Sequence, residues 1–178
     1  MLLVTAFQSR SRALLPGVIA TLVVAAAAAF LATHLHVPLA EPYDPTKLEA
    51  KLDAGGDVVW TQIVYDADRL GEWADLVRAR GVFERAHVLV GLVPLRSLKN
   101  ARSMDGLFGV HVPSTAFDLL ESAGADAERA GVEFTLSVVE KIRAIEGIAG
   151  IHLMGVGRDD LVRTIVEEAG LFPRPTGS

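Results

Sequence analysis

The sequence predicts an α/β protein built on a parallel sheet, and three observations carry that expectation. From about residue 44 onward, helix-like runs alternate with short apolar strands through glycine turns, which is the order of a parallel βαβ chain. His87-Val-Leu-Val-Gly-Leu-Val-Pro94 is apolar almost throughout, as a strand covered on both faces must be. Asp57-Val-Val-Trp-Thr-Gln-Ile-Val-Tyr-Asp66 is a second such strand, with one glutamine, Gln62, near its carboxyl end.

The elements come in this order. Asp44 is a helix cap with Pro45 in the first turn, and Leu48 and Leu52 share the inward face up to Gly55. The first strand spans about Val58 to Val64. Asp66 or Asp68 caps the next helix, where Leu70, Trp73, Ala74 and Val77 form an apolar stripe at helical spacing before Gly81 ends it. The second strand begins at His87, and Gly91 and Pro94 mark where it kinks or stops. Arg96 to Met104 is a short helix, and Pro113 opens another through about Ser122. A longer helix runs from Asp126 to Ile145 with Phe134, Val138, Ile142 and Ile145 inward. Glu146 to Gly150 reads as a turn, Ile151 to Met154 as the third strand, and Arg158 to Ala169 as the last helix. Three strands cannot close a barrel, which needs eight.

The front of the chain is different. Arg10 and Arg12 are the only charged residues before Glu41, and residues 13–33 form an alanine-rich apolar run long enough for a bilayer core of about 20 helical residues. Pro38 and Pro42 place a boundary in the segment His36 to Glu41. The expected organisation is an apolar, helical segment over 1–40, an α/β part over 41–173 and a flexible tail over 174–178. Residues 13–33 can be read as a membrane anchor or as a start foreign to the fold. The open sheet edges of so few strands favour a truncated chain over an anchored one.

Composition narrows the function. With 178 residues and 51% hydrophobic content the chain can bury a sizeable core. A net charge of −5 with no basic cluster argues against a nucleic-acid binder. The lack of cysteine excludes disulfides, thiolate chemistry and cysteine-bound metals, and fits a cytoplasmic chain. His34 and His36 lack a third ligand nearby, so no metal is expected. His87, His111 and His152 sit at strand starts or in a loop, where structural roles are commoner. Asp159-Asp160 is favourable charge in a first helical turn, Gly155 and Gly157 lack the third glycine of a dinucleotide loop, and no serine sits in a nucleophile elbow.

Gln62 is the sharpest candidate. In parallel sheets ligands bind outside the carboxyl ends of strands, and a primary amide can donate to and accept from one planar ligand edge. The plain alternative is that Thr61 and Gln62 only satisfy backbone groups at a strand end.

Four ordered blocks then resemble the carboxyl-terminal part of the methylenetetrahydrofolate reductase family. They are LEAKLDAGGDVVWTQIVYD (Leu48 to Asp66), GLVPLRSLKNA (Gly91 to Ala101), VHVPSTAFDLLESA (Val110 to Ala123) and GIHLMGVGRDDLVRTIVEEAGL (Gly150 to Leu171). The resemblance implies an incomplete βα (TIM-type) barrel consisting of the last three strand-helix units. The reaction it implies is reduction of 5,10-methylenetetrahydrofolate to 5-methyltetrahydrofolate by NADH or NADPH through FAD, with little activity expected from so short a chain alone. By resemblance Gln62 hydrogen-bonds the pterin ring, Asn100 faces folate, and Arg158 contacts folate with a guanidinium suited to its tail carboxylate. Asp44 and Lys51 match contacts to the adenosine-diphosphate part of the flavin. Read alone, these last two are a helix cap and a solvated lysine.

The departures are as informative. The family's acidic residue that helps protonate folate, and several flavin contacts, lie on earlier strands that the resemblance does not cover, so no catalytic residue is assigned. Gly56 replaces the alanine usual in the Asp-Ala-Gly-Ala turn. The reading of another class is a membrane-anchored, noncatalytic α/β module that binds a partner or folate without turnover.

Overall fold

A computed structural model describes residues 35–37 and 46–171. The elements in chain order are β1 (Leu35–Val37), α1 (Thr46–Asp53), β2 (Val58–Ile63), α2 (Ala67–Arg78), β3 (His87–Leu92), α3 (Leu98–Asp105), α4 (Ser114–Ala123), α5 (Ala127–Arg143), β4 (Ile148–Leu153) and α6 (Asp159–Glu168), with one 3₁₀ turn at Gly124–Asp126. The apolar segment 13–33, Asp44 and the tail 174–178 lie outside the described residues. Among the described residues no helix is long and apolar enough to cross a membrane.

Local chemistry explains the elements. Asp66 starts α2: its carboxylate accepts from the N–H groups of Asp68 and Arg69 at 3.2 and 3.1 Å, satisfying donors that a helix start leaves unpaired. The stripe Leu70, Trp73, Ala74 and Val77 is buried, and α2 gives way to Gly81 at φ 66°. Ser97 caps α3 through its hydroxyl and the Asn100 N–H at 3.1 Å. Val138 and Ile142 of α5 are fully inward, and Phe134 and Ile145 pack partly buried against the same core.

All strand pairs are parallel and the sheet order is β1-β2-β3-β4. Sequential order without a reversal has no switch point of the doubly wound kind. Right-handed crossovers then place every helix on one face, and such a sheet is an arc of a βα barrel. Burial agrees with two unlike faces. Val59, Thr61, Val88, Val90 and Leu92 are buried, and the apolar members join Leu70, Trp73, Val77, Ile142 and Ile165 in one core. Val58, Trp60, Gln62 and Leu89 are only half-buried. On that second face the rings of Trp60 and His152 stack at 5.1 Å, across β3.

Two boundaries differ from expectation. β4 begins at Ile148, three residues earlier than the sequence suggests, because the stretch read as a turn pairs along β3, with Val88 opposite Ile148 and Leu89 opposite Gly150. A fourth strand, β1, lies where the apolar segment and linker were expected. Its backbone pairs in parallel with Val59, Trp60 and Thr61. So short a strand among prolines leaves no periodic signal of its own.

Candidate functional site

The site is built on an irregularity in β2. Trp60 pairs with Leu89 and Ile63 with Gly91, so three steps on β2 oppose two on β3. Such a bulge re-aims a side chain and is common beside binding sites. Gly91 is what lets the bulge close on β3: a Cβ there would stand 3.0 Å from the Thr61 carbonyl oxygen and 3.2 Å from that of Gln62. The buried Thr61 hydroxyl pins the arrangement, donating to the Gln62 carbonyl at 2.7 Å and accepting from the Gly91 N–H at 3.0 Å. The Val64 N–H then donates to the Gly91 carbonyl at 2.9 Å, restoring the ladder beyond the bulge.

Gln62, half-buried at this point, uses both ends of its amide. Its Oε1 accepts from the Ile63 N–H at 3.0 Å and its Nε2 donates to the Phe108 carbonyl at 3.0 Å. The second bond spans the site, joining β2 to the α3–α4 connection. Beside it lies a small cleft lined by Ile63, Val64, Tyr65, Asp66, Arg69, Gly109 and His111, with a volume of about 20 Å³, room for a single water. Tyr65 is buried, and its hydroxyl has no hydrogen-bond partner among the described residues. Burial pushes that phenol above its ordinary range.

Asn100 stands in the first turn of α3, just beyond β3. Its Oδ1 accepts from the Arg96 N–H at 3.3 Å, closing the turn between strand and helix. Arg158 precedes α6, beyond β4. Its guanidinium forms a paired contact with Glu128 at 2.6 and 2.9 Å and reaches Asp160 at 2.7 Å. The hydrogen bonds from Arg158 hold the Glu128 carboxyl below its usual range and draw Asp160 down to about 2. The same two bonds raise Arg158 further. One cation between two carboxylates is a net negative cluster, so a ligand carboxylate reaches Arg158 only as Glu128 or Asp160 gives way. The preceding loop carries Val156 at φ 43°, a conformation costly for a β-branched residue and typical of constrained binding loops.

Gln62, Asn100 and Arg158 thus lie at or just beyond the carboxyl ends of β2, β3 and β4, three adjacent strands opening on one side. Lys51 does not join them. It is exposed in the last turn of α1 and does not line the cleft beside Gln62. Asp44 lies outside the described residues. Two partners escaped the sequence reading: Glu128, which is 30 residues from Arg158, and Phe108, which is 46 from Gln62. Only the pairing itself reveals either.

Comparison with known proteins meets this geometry. The family model for methylenetetrahydrofolate reductase matches residues 20–170, starting within the apolar alanine-rich segment. Methylenetetrahydrofolate reductase 1 of Schizosaccharomyces pombe is 30% identical over 128 residues, covering 70% of this chain and 21% of that protein. Methylenetetrahydrofolate reductase (NADH) 1 of Arabidopsis thaliana is 27% identical over 144 residues, 79% of this chain and 24% of the relative. For 5,10-methylenetetrahydrofolate reductase of Salmonella typhimurium the values are 25% over 133 residues, 73% and 44%. The chain spans less than half the length of each of these relatives. The matched region takes in the Gln62 bulge, Asn100 and Arg158 together, and the chain belongs to the methylenetetrahydrofolate reductase family.

Proposed function

We propose that this chain forms a folate-facing wall of a methylenetetrahydrofolate reductase, in which 5,10-methylenetetrahydrofolate is reduced to 5-methyltetrahydrofolate at the expense of NADH or NADPH. The observation that carries this reading is the β2 bulge, which turns the Gln62 amide out at the carboxyl end of the sheet arc. A pterin presents a planar edge of alternating donors and acceptors, and a primary amide is the side chain that matches both. Asn100 supplies a second amide on the neighbouring strand's exit. Arg158, on the next, is suited to the tail carboxylate once one of its acidic partners yields.

FAD is the redox cofactor this reading requires. Of the residues matched to it, Lys51 is the described one, exposed in the last turn of α1, where its ammonium would meet a phosphate of the flavin's adenosine-diphosphate part. The role proposed for Gln62, Asn100 and Arg158 is to bind and orient folate. The acid that protonates folate is not assigned to any of them.

Calorimetric titration of the purified chain with folic acid, beside Gln62→Ala, tests the reading. Loss of that amide should weaken binding about tenfold or more, since a buried polar ligand edge is left unpaired. Equal affinity in the two chains, or none in the unaltered one, overturns it.

A further inference from the structure

Leu107 to Val110 form a tight turn closed by the Val110 N–H donating to the Leu107 carbonyl at 3.1 Å, with Gly109 at φ 76°. A positive φ at the third position is the mark of a type II turn, and glycine is the residue that permits it. In a type I turn the same four residues keep their path while the central peptide, here Phe108 to Gly109, is turned over. It is the carbonyl of this central peptide that accepts from Gln62 Nε2 at 3.0 Å. The feet of the loop are tied: the Val112 N–H donates to the Asp105 carboxylate at 2.8 Å and the Leu107 N–H to the Met104 carbonyl at 3.0 Å. At its tip Phe108 is 83% exposed and Leu107 44%, two apolar residues standing in water beside a cleft with room for one water.

We propose that the Phe108–Gly109 peptide is a latch on the Gln62 amide, and that Phe108 is a ligand-covering residue that becomes engaged when a flat heterocycle displaces that latch. The inference rests on the folate reading for the identity of the heterocycle. One of the two N–H groups of the amide is spent on Phe108. A ligand edge that takes this same N–H must displace the carbonyl, and with the feet tied the least motion that does so is rotation of the one peptide. Gly109 tolerates both signs of φ, so the rotation meets little resistance there. The Phe108 carbonyl lies within hydrogen-bond distance of the Gln62 amide, which puts its ring within a side chain's length of a heterocycle held by that amide. An aromatic face against a flat ring is a favourable contact.

Opposite-signed variants test this in the full chain, with folic acid as the probe. Gly109→Ala disfavours the positive φ and with it the latched turn, so folic acid should bind about fivefold more tightly. Phe108→Ala keeps the carbonyl but removes the ring, and binding should weaken about fivefold, with Phe108→Tyr restoring it. Unchanged affinity in Phe108→Ala, or weaker binding in a Gly109→Ala chain that melts like the parent, overturns the inference, while Gln62-dependent binding leaves the folate reading standing. A parent chain that does not bind folic acid overturns the reading and the ligand half of the inference together. The latch is then decided by the ligand-free ¹⁵N spectrum. Gln62 side-chain protons that exchange slowly in the parent and faster in Gly109→Ala support it, and equal exchange rejects it.

Discussion

Thr61→Val removes one oxygen and keeps the shape of the side chain, and it strikes the pin of the candidate site. The hydroxyl makes two bonds, donating to the Gln62 carbonyl at 2.7 Å and accepting from the Gly91 N–H at 3.0 Å, in a side chain only 2% exposed. Valine cannot replace either. An N–H left unsatisfied in the interior costs about 1–3 kcal/mol, and the valine methyl returns up to about 0.8 kcal/mol of apolar burial. The expected net loss is about 1–2 kcal/mol. For a domain of this size that lowers the melting temperature by roughly 2–8 °C, and in urea it moves the midpoint down by about 1 M with an unchanged slope. Circular dichroism during urea unfolding measures it. Because the same hydroxyl holds the bulge that aims Gln62, folic acid affinity should fall with stability. A Thr61→Val chain as stable as the parent would refute the view that the hydroxyl pins the bulge, and normal folate binding in a destabilised chain would separate the bulge from the site.

Three other outcomes are expected. Gly131→Ala should destabilise by about 2 kcal/mol, despite a gain of about 1 kcal/mol in helix propensity. Its Cβ would stand 2.0 Å from the Leu95 carbonyl oxygen, so α5 would have to retreat from the chain beyond β3; a stabilised variant in urea unfolding would show that this contact is not made. Tyr65→Phe removes a buried hydroxyl that has no partner among the described residues, and urea unfolding should find the variant as stable as the parent or up to about 1 kcal/mol more stable. Arg158→Gln should return the Asp160 carboxyl from about 2 toward the usual range and raise that of Glu128, as carbon-detected NMR titration would show. The sign is that of a depressed acid: the Asp160–Arg158 contribution to stability is complete above about pH 4 and fades as pH falls toward 2. Arg158→Gln should flatten the pH dependence of stability in that interval.

The features legible in the sequence are those that depend on neighbours along the chain. The stripe Leu70, Trp73, Ala74 and Val77 and the stop at Gly81 are set by helical periodicity and one left-handed glycine, and both stand where expected. The cap at Asp66 and the continuous apolar strand from His87 are equally local. The features that escaped depend on register between strands. The bulge at Gln62 exists because Gly91 lies opposite it, and no pattern within β2 announces that. The start of β4 was hidden because Gly147 and Gly150 imitate a turn until Val88 and Leu89 are placed beside them. Gln62 stands out as a lone amide at a strand end and Asn100 and Arg158 come from the family blocks, whereas the carbonyl on Gln62 and the carboxylates on Arg158 are facts of tertiary structure.

The connection from β3 to β4 has a consequence for how the molecule assembles. β2 is joined to β3 by one helix, but β3 reaches β4 only after α3, α4 and α5, and a longer loop costs more entropy to close before pairing repays it. The compact unit β2-α2-β3 holds Thr61, Gln62 and Gly91 and is the cheaper to form. Phe108 and Glu128 belong to the long excursion, and Arg158 to the stretch after β4. On loop-closure entropy the bulge is expected to form early in folding, and the groups that occupy Gln62 and enclose Arg158 are expected afterwards, so that the mouth of the site takes shape on a wall already built.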